Sequence, residues 1–173
     1  LRAIERSSGE TAFEVQTLSP RLTGAPVAAL GKIVQGISFV DRGAVQAFDA
    51  ATGALAWTWY AIPSPEDGGW WGEWIEGLPG RPEISLGRDI AWEKANQTRL
   101  ADGWKTGGAS APMTPTVDAE RGLAYVSTGG PDPTAFPPPA EPHPGDMRWT
   151  NSVCAIRIAD GSTAWCYQFL PHD

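Results

Sequence analysis

The chain has 173 residues and a formal net charge of −7 at pH 7, with 20 glycines, 16 prolines and 9 tryptophans. This length suffices for one domain with a buried core, and the turn-forming residues favour short strands over helices. The negative charge and the lack of a lysine and arginine cluster argue against a nucleic-acid partner. No apolar run approaches the ~20 residues of a membrane-spanning helix, so we expect no transmembrane segment in this chain.

The chain opens on a weak copy of a turn motif that recurs twice further along. The clearest copy, at 47–57, reads A-F-D-A-A-T-G-A-L-A-W, and the other two run from Ala3 to Phe13 and from Ala155 to Trp165. The shared glycine permits the positive φ of a tight turn, and the acid or hydroxyl before it can bind backbone N–H groups. Each copy therefore predicts a hairpin whose final aromatic residue can pack on a neighbouring unit.

Two further strand pairs precede the second and third copies. Residues 25–30 and 32–36 form one predicted pair that turns at Gly31, and residues 114–118 and 123–127 form another. Each unit then has four short antiparallel strands, and the distance from Ala3 to Ala47 matches a propeller blade of roughly 40–50 residues.

These elements predict an all-β fold, a partial β-propeller with about two and a half four-stranded antiparallel blades. We expect a single partial propeller domain over 1–173. Its predicted parts are listed in chain order: the end of one blade (1–17), a second blade (18–60), a long Trp-rich insertion (61–110) and a third blade (111–173).

The insertion shows no clean hydrophobic period. It carries five tryptophans, at positions 70, 71, 74, 92 and 104, and a short helix is predicted around 89–94. A long insertion of this kind either reaches over a propeller face, where ligands bind, or uses its tryptophans to form a small core of its own. A second low-complexity patch at 137–144 predicts an extended surface loop, with His143 as a loop residue.

The two cysteines, Cys154 and Cys166, fit no metal-binding spacing. Both lie in strand-like segments on either side of the third turn motif, so a cross-strand disulfide is possible. Two buried free thiols are the favoured interpretation.

Several ordered motifs along most of the chain resemble the quinoprotein alcohol dehydrogenases. The turn motif is similar to their tryptophan-docking motif, and the others are listed in chain order: L-T-G-A-P at 22–26, G-W-K-T-G-G at 103–108, Y-V-S-T-G at 125–129, P-G-D at 144–146, W-T-N-S at 149–152 and Y-Q-F-L-P-H-D at 167–173. The resemblance implies an internal fragment of a periplasmic eight-bladed propeller that oxidises an alcohol with pyrroloquinoline quinone (PQQ) and calcium. The implied partners are a small alcohol and an electron acceptor such as a cytochrome c or a quinone.

The resemblance also assigns cofactor contacts. In the family, PQQ lies between a stacking Trp and a disulfide of neighbouring cysteines, calcium polarises the quinone carbonyl, and an Asp acts as general base. Carried over position by position, the family's PQQ-contacting hydroxyls match Thr23, Ser38 and Ser110.

The chain departs from the family at the metal and the base. The calcium-binding Glu that follows the matched Ser38 is deleted here, and Gly130 stands at the calcium-binding Asn. Pro112 stands at the stacking Trp, the neighbouring cysteines would precede residue 1, and the catalytic Asp would lie beyond Asp173. No catalytic residue and no metal ligand is therefore predicted within the chain, and the implied binding of PQQ and calcium conflicts with these positions.

Asp41 keeps two alternatives open, and His172 has one expected role. Asp41 either replaces the lost Glu as a calcium ligand or, as we favour, is a turn acid that is solvated or paired with Arg42. His172 is expected to brace the loop that follows it.

Three functions remain open. The first is part of a PQQ-dependent alcohol dehydrogenase, and the second is a propeller that has lost the cofactor and serves as a binding or scaffold module. The third is a dehydrogenase that holds PQQ with other residues, such as those of the insertion. The polypeptide 1–173 alone is expected to be inactive and poorly soluble, because its blade edges lack neighbours.

Overall fold

The computed structural model describes residues 1–38, 40–131 and 145–172. The whole proline-rich patch at 137–144, with its His143, and the terminal Asp173 lie outside the described residues. Within them, no helix has the length and apolarity to cross a membrane.

The described residues form four antiparallel sheets, two of them complete four-stranded blades. The strands are listed in chain order: β1 Arg2–Ile4, β2 Thr11–Glu14, β3 Val27–Ala29, β4 Lys32–Ile37, β5 Ala44–Asp49, β6 Leu55–Tyr60, β7 Gly77–Leu78, β8 Arg81–Ser85, β9 Thr116–Asp118, β10 Leu123–Ser127, β11 Ser152–Arg157 and β12 Thr163–Gln168. The blades have the orders β3-β4-β5-β6 and β12-β11-β10-β9, with two-stranded sheets β1-β2 and β7-β8. The prediction of an all-β partial propeller is confirmed, whereas the predicted part boundaries stay predictions.

The turn motifs form the predicted hairpins. In the β5–β6 turn, one carboxylate oxygen of Asp49 accepts hydrogen bonds from the backbone N–H of Thr52 at 2.9 Å and of Ala51 at 3.1 Å. These bonds lower the pKa of Asp49, with that of the Thr52 N–H the strongest. Gly53 follows with a φ of +75°, in the left-handed region that favours glycine.

The aromatic residues that end the first two motifs each pack on the glycine of the next motif. A Cβ added to Gly53 would lie 2.5 Å from the ring of Phe13, and one added to Gly161 would lie 2.7 Å from the ring of Trp57. The indole N–H of Trp57 also donates to the carbonyl of Ile158 at 2.9 Å, so the blades are joined by a stack and a hydrogen bond.

The insertion packs on the blades and shares their core. Trp70 is wholly buried in the same apolar cluster as Val34 of β4 and Ile156 of β11, so the interpretation of a separate tryptophan core is wrong. The predicted helix is confirmed as α1, Ile90–Asn96, and it begins where Asp89 accepts a hydrogen bond from the Trp92 N–H. Two 3₁₀ turns, Pro65–Asp67 and Gly103–Lys105, complete the insertion.

The cysteines form a disulfide, which corrects the favoured interpretation of free thiols. Cys154 of β11 and Cys166 of β12 are direct partners in the antiparallel register. Their Cα atoms lie 4.1 Å apart, because directly opposite residues in paired strands bring their side chains together on one face.

Candidate functional site

The predicted cofactor residues lie at one end of the two complete blades. Residues 22–26 lead into β3 and residues 108–115 lead into β9, while residues 38–43 leave β4 and residues 128–131 leave β10. In an antiparallel blade, the first strand starts where the second strand ends. The four segments therefore meet at one end, and β3 and β9 contact each other there between the blades.

Thr23 and Ser38 are brought together by a hydrogen bond. Their hydroxyl oxygens lie 2.9 Å apart, and the Thr23 hydroxyl donates to the carbonyl of Pro112 at 2.7 Å. The Thr23 hydrogen is thus used by Pro112, so Ser38 is the donor of the bond between them. This pair ties the second blade to the third, and its assignment as a cofactor contact stays a prediction.

Ser110 lies apart from that pair, in the wall of a cavity. The cavity holds about 440 Å³ and is lined by Val40, Asp41, Gly108, Ala109, Ser110, Gly129, Gly130 and Pro131. Backbone hydrogen bonds shape it: the Ala109 N–H donates to Gly130 O at 3.0 Å, and the Gly129 N–H donates to Ser110 O at 2.8 Å. Within the described part of the chain, the Ser110 hydroxyl has no hydrogen-bond partner and is free to bind a ligand.

The residues at this cavity do not fit a calcium site. Calcium takes six to eight oxygen ligands, several of them carboxylates. The cavity offers one carboxylate, that of exposed Asp41, and Gly130 supplies no side chain. Across the ranges that the structure describes, no cluster of three or more His, Cys, Asp or Glu side chains could hold a metal ion.

One alternative expected Arg42 to pair with its neighbour Asp41. The structure shows no such pair. The Arg42 guanidinium points toward the insertion, where Nε donates to the carbonyl of Ile62 at 2.7 Å. Asp41 is exposed, which agrees with the solvated turn acid.

The fit to PQQ itself is partial. A cavity of this size accommodates a small organic cofactor, and the Ser110 hydroxyl can donate to a quinone or carboxylate oxygen. No Lys or Arg is among the residues that line the cavity. The described lining offers a polycarboxylate cofactor one hydroxyl, that of Ser110, and backbone groups, next to the carboxylate of Asp41.

A buried ionic network joins the insertion to the third blade. The guanidinium of Arg88 binds Glu93 of α1 through two hydrogen bonds, of 3.0 and 2.6 Å, and binds Asp146 at 2.5 Å. The Gly145 N–H donates to Glu93 at 2.9 Å, and His172 Nε2 lies 3.5 Å from the same carboxylate. Arg88 and Glu93 are each only 1% exposed, so this network holds the insertion in place without contact with solvent.

Burial also affects the pKa of Asp146. Loss of solvent raises the pKa of this carboxyl above its ordinary value, against the opposing effect of the Arg88 guanidinium. One guanidinium thus serves two carboxylates, and Arg88 is the residue on which the network depends.

Sequence reasoning missed this network. It singled out Asp146 only as part of a family motif and His172 only as a brace for the loop that follows, and it gave Arg88 and Glu93 no role. The short spacing between Arg88 and Glu93 could have indicated the ion pair between these two residues. It could not have indicated Asp146, which is 58 residues from Arg88 in the sequence.

Comparisons with a family model and with curated proteins relate the chain to the same group of enzymes. Residues 86–173 match the family model of the β-propeller domain of PQQ glucose, ethanol and alcohol dehydrogenases. The whole chain is 31% identical to quinohemoprotein alcohol dehydrogenase ADH IIB of Pseudomonas putida, of which it covers 24%. It is 29% identical to the lanthanide-dependent methanol dehydrogenase of Methylorubrum extorquens, of which it covers 28%.

A solved structure supports the same relationship. The quinohemoprotein alcohol dehydrogenase of Comamonas testosteroni superposes on 99% of the chain with a TM-score of 0.67 and 25% identity, and the chain covers 25% of it. The chain thus spans about a quarter of the length of the curated relatives that it matches.

Proposed function

Because the chain belongs to the β-propeller family of PQQ glucose, ethanol and alcohol dehydrogenases, we propose that the protein containing it oxidises an alcohol with PQQ as cofactor. The observation that carries the proposal is the cavity at the blade end. Its lining includes Gly129, Gly130 and the unpaired hydroxyl of Ser110. Ser110 is one of the residues that the family resemblance assigned to a PQQ contact.

The role of these residues is binding and orientation. PQQ, when bound, supplies the redox chemistry by accepting two electrons from the alcohol. Ser110 would donate a hydrogen bond to an oxygen of the cofactor, and Gly129 and Gly130 leave the cavity wall open for close approach. The Thr23–Ser38 pair holds the second blade against the third and so keeps the wall in position.

The metal is a separate part of the proposal. Asp41 is the single carboxylate that the described cavity offers, so further ligands for calcium or a lanthanide must come from other parts of the protein. One relative is named as lanthanide-dependent, which is why both metals belong in the test.

We place the protein in the periplasm and assign it a cytochrome c or a quinone as electron acceptor. The Cys154–Cys166 disulfide supports this compartment, because disulfides persist in oxidising environments and are rare in the cytosol.

Reconstitution tests the activity. The full-length protein, dialysed free of cofactor, is supplied with PQQ together with calcium or lanthanum, and reduction of an artificial dye is followed with primary alcohols. We expect dye reduction that requires both PQQ and alcohol. Dye reduction that stays at the level of the PQQ-free sample with either metal would overturn the proposal.

A binding or scaffold module is the second candidate function. It is favoured by the single carboxylate at the cavity and by Pro112, whose carbonyl is used in a contact between blades. A full-length protein that folds normally but retains no PQQ would support this function.

A further inference from the structure

A second cavity lies between the second and third blades and shares no lining residue with the first. It holds about 400 Å³ between β6, the β11–β12 turn and the first 3₁₀ turn of the insertion. The residues that line it include three aromatic ones, Trp59, Tyr60 and Trp149, and two arginines, Arg42 and Arg148.

The guanidinium of Arg42 is held in place but incompletely paired. It lies 4.0 Å from the centre of the Tyr60 ring and 4.7 Å from that of Trp104, and its side chain is 16% exposed. Its Nη2 atom is buried and makes no hydrogen bond within the described residues. Asp67 is its nearest acid, at 3.9 Å, which is too long for a hydrogen bond.

The electrostatics of Arg42 agree with this incomplete pairing. Burial lowers the pKa of Arg42, in spite of the opposing effects of Tyr60 and Asp67. A desolvated cation without a full partner is costly, and an anion that reaches Nη2 would remove this cost.

Arg148 adds a second positive charge to the same cavity. Its guanidinium lies 5.5 Å from the centre of the Trp149 ring, and it forms no ion pair with any described acid. The described lining contains one acid, Asp67, which is 69% exposed. Two arginines against one acid give the lining a positive net charge, although the whole chain is negative.

We propose that this cavity binds a small organic carboxylate with a planar apolar body. Guanidinium groups bind carboxylates through paired hydrogen bonds, and Nη2 of Arg42 has a free N–H for this purpose. The flanking Trp and Tyr rings offer an apolar surface to the body of the ligand, which an inorganic anion does not use. Thr163, whose oxygen accepts from the Trp59 indole at 2.9 Å, keeps its own hydrogen for the ligand.

Calorimetric titration of the full-length protein tests this site with three probes. Benzoate has the charge and the apolar body, benzamide has the same shape without the charge, and inorganic phosphate has charge without the body. We expect benzoate to bind at least about tenfold more tightly than either of the other probes. Equal binding of benzamide, or no binding of benzoate, would overturn the proposal.

Two cavity variants and one control test whether benzoate binds in this cavity. Arg148→Gln should weaken benzoate binding about tenfold, since it removes a charge-assisted contact. Asp67→Asn should strengthen it, because it removes the acid that competes for Arg42. The control Arg6→Gln removes an exposed arginine of the β1–β2 turn and should leave the binding unchanged.

The Asp67→Asn variant guards against a trivial loss of folding, since a misfolded protein does not bind more tightly. Wild-type affinity in both cavity variants, or a loss in Arg6→Gln equal to that in Arg148→Gln, would show that benzoate binds elsewhere and contradict the proposal.

Discussion

Arg88 and Glu93 form an ion pair in which both side chains are only 1% exposed, while Arg2 and Glu14 form one that is 57% and 61% exposed. Solvent screens the second pair and contributes to the hydration of both charges, so its net effect on stability is small. The first pair has lost that hydration, so each charge depends on its partner, and the Glu93 carboxylate also accepts a hydrogen bond from the Gly145 N–H.

Glu93→Gln should therefore destabilise the full-length protein far more than Glu14→Gln does. We expect a loss of about 3 kcal/mol or more for the buried position, where Arg88 is left without one of its two acids, and less than about 1 kcal/mol for the exposed one. Urea-induced unfolding followed by tryptophan fluorescence measures both. Similar effects of the two substitutions would contradict the structural role of the network.

At this scale, sequence reasoning found hydroxyls but not their partners. The resemblance singled out Thr23, Ser38 and Ser110, and the structure shows that the first two bond to each other while the third faces a cavity. The carbonyl of Pro112 that accepts from Thr23 could not be predicted, because it belongs to the next blade, 89 residues further along the chain.

The stack between blades depends on the absence of a side chain at Gly161. This glycine has a φ of +77°, and Gly9 in the first hairpin has a φ of +75°, so an alanine at either position has the same backbone strain. The two positions differ in their surroundings. A Cβ added to Gly161 would lie 2.7 Å from the ring of Trp57, whereas a Cβ added to Gly9 would have no atom within 4 Å.

Gly161→Ala should thus destabilise the protein more than Gly9→Ala. Both substitutions should cost about 1–2 kcal/mol for a left-handed backbone, and Gly161→Ala should cost about 1–3 kcal/mol more because Trp57 must move. Thermal unfolding of the two variants gives the comparison. Equal losses in the two variants would mean that the ring contact does not stabilise the join between blades.

The elements that were predictable from sequence are those with local causes. The turn at Asp49, Thr52 and Gly53 is held by its own side chains, so its motif predicted the hairpin directly. The β7–β8 hairpin was missed because its strand Arg81–Ser85 is exposed throughout and shows no alternation of polar and apolar positions. The placement of the insertion on the blade core depends on Trp70, and no local pattern distinguishes that tryptophan from its neighbours.

At the scale of the whole molecule, the outer strand β12 presents an apolar row. Trp165 and Tyr167 of this strand and Phe169, directly after it, are 47%, 53% and 56% exposed. Trp165 occupies the motif position of Phe13 and Trp57, both of which pack on the glycine of a following motif. A further blade would cover this row in the same way, and a chain of only 24–28% of the length of its relatives leaves room for more blades.

The polypeptide 1–173 produced alone should accordingly self-associate. Size-exclusion chromatography with light scattering should show oligomers or aggregates, and replacing Tyr167 and Phe169 by lysine should reduce them, because charged residues on an edge strand oppose association. A monomer that melts cooperatively would contradict this expectation.

The lineage could be predicted from the sequence because its motifs are ordered along most of the chain, whereas the cofactor site could not be completed from it. Ser110 and Gly130 both line the cavity, and their roles as cofactor and metal positions stay predictions, while the single carboxylate of Asp41 is too few for a calcium site in the described residues. Ligands that come from different segments of a fold are brought together by long-range packing, on which the local sequence carries no information.

Equilibrium dialysis of the full-length protein against PQQ, in the presence of calcium or lanthanum, tests the central claim most directly. The proposed function predicts that the protein retains about one PQQ per chain at micromolar concentration. It also predicts that Ser110→Ala weakens retention about threefold to tenfold, as expected for a lost hydrogen bond. Ser127→Ala, an exposed serine at the end of β10, serves as the control. No retention of PQQ with either metal would contradict the claim and leave the propeller as a binding module.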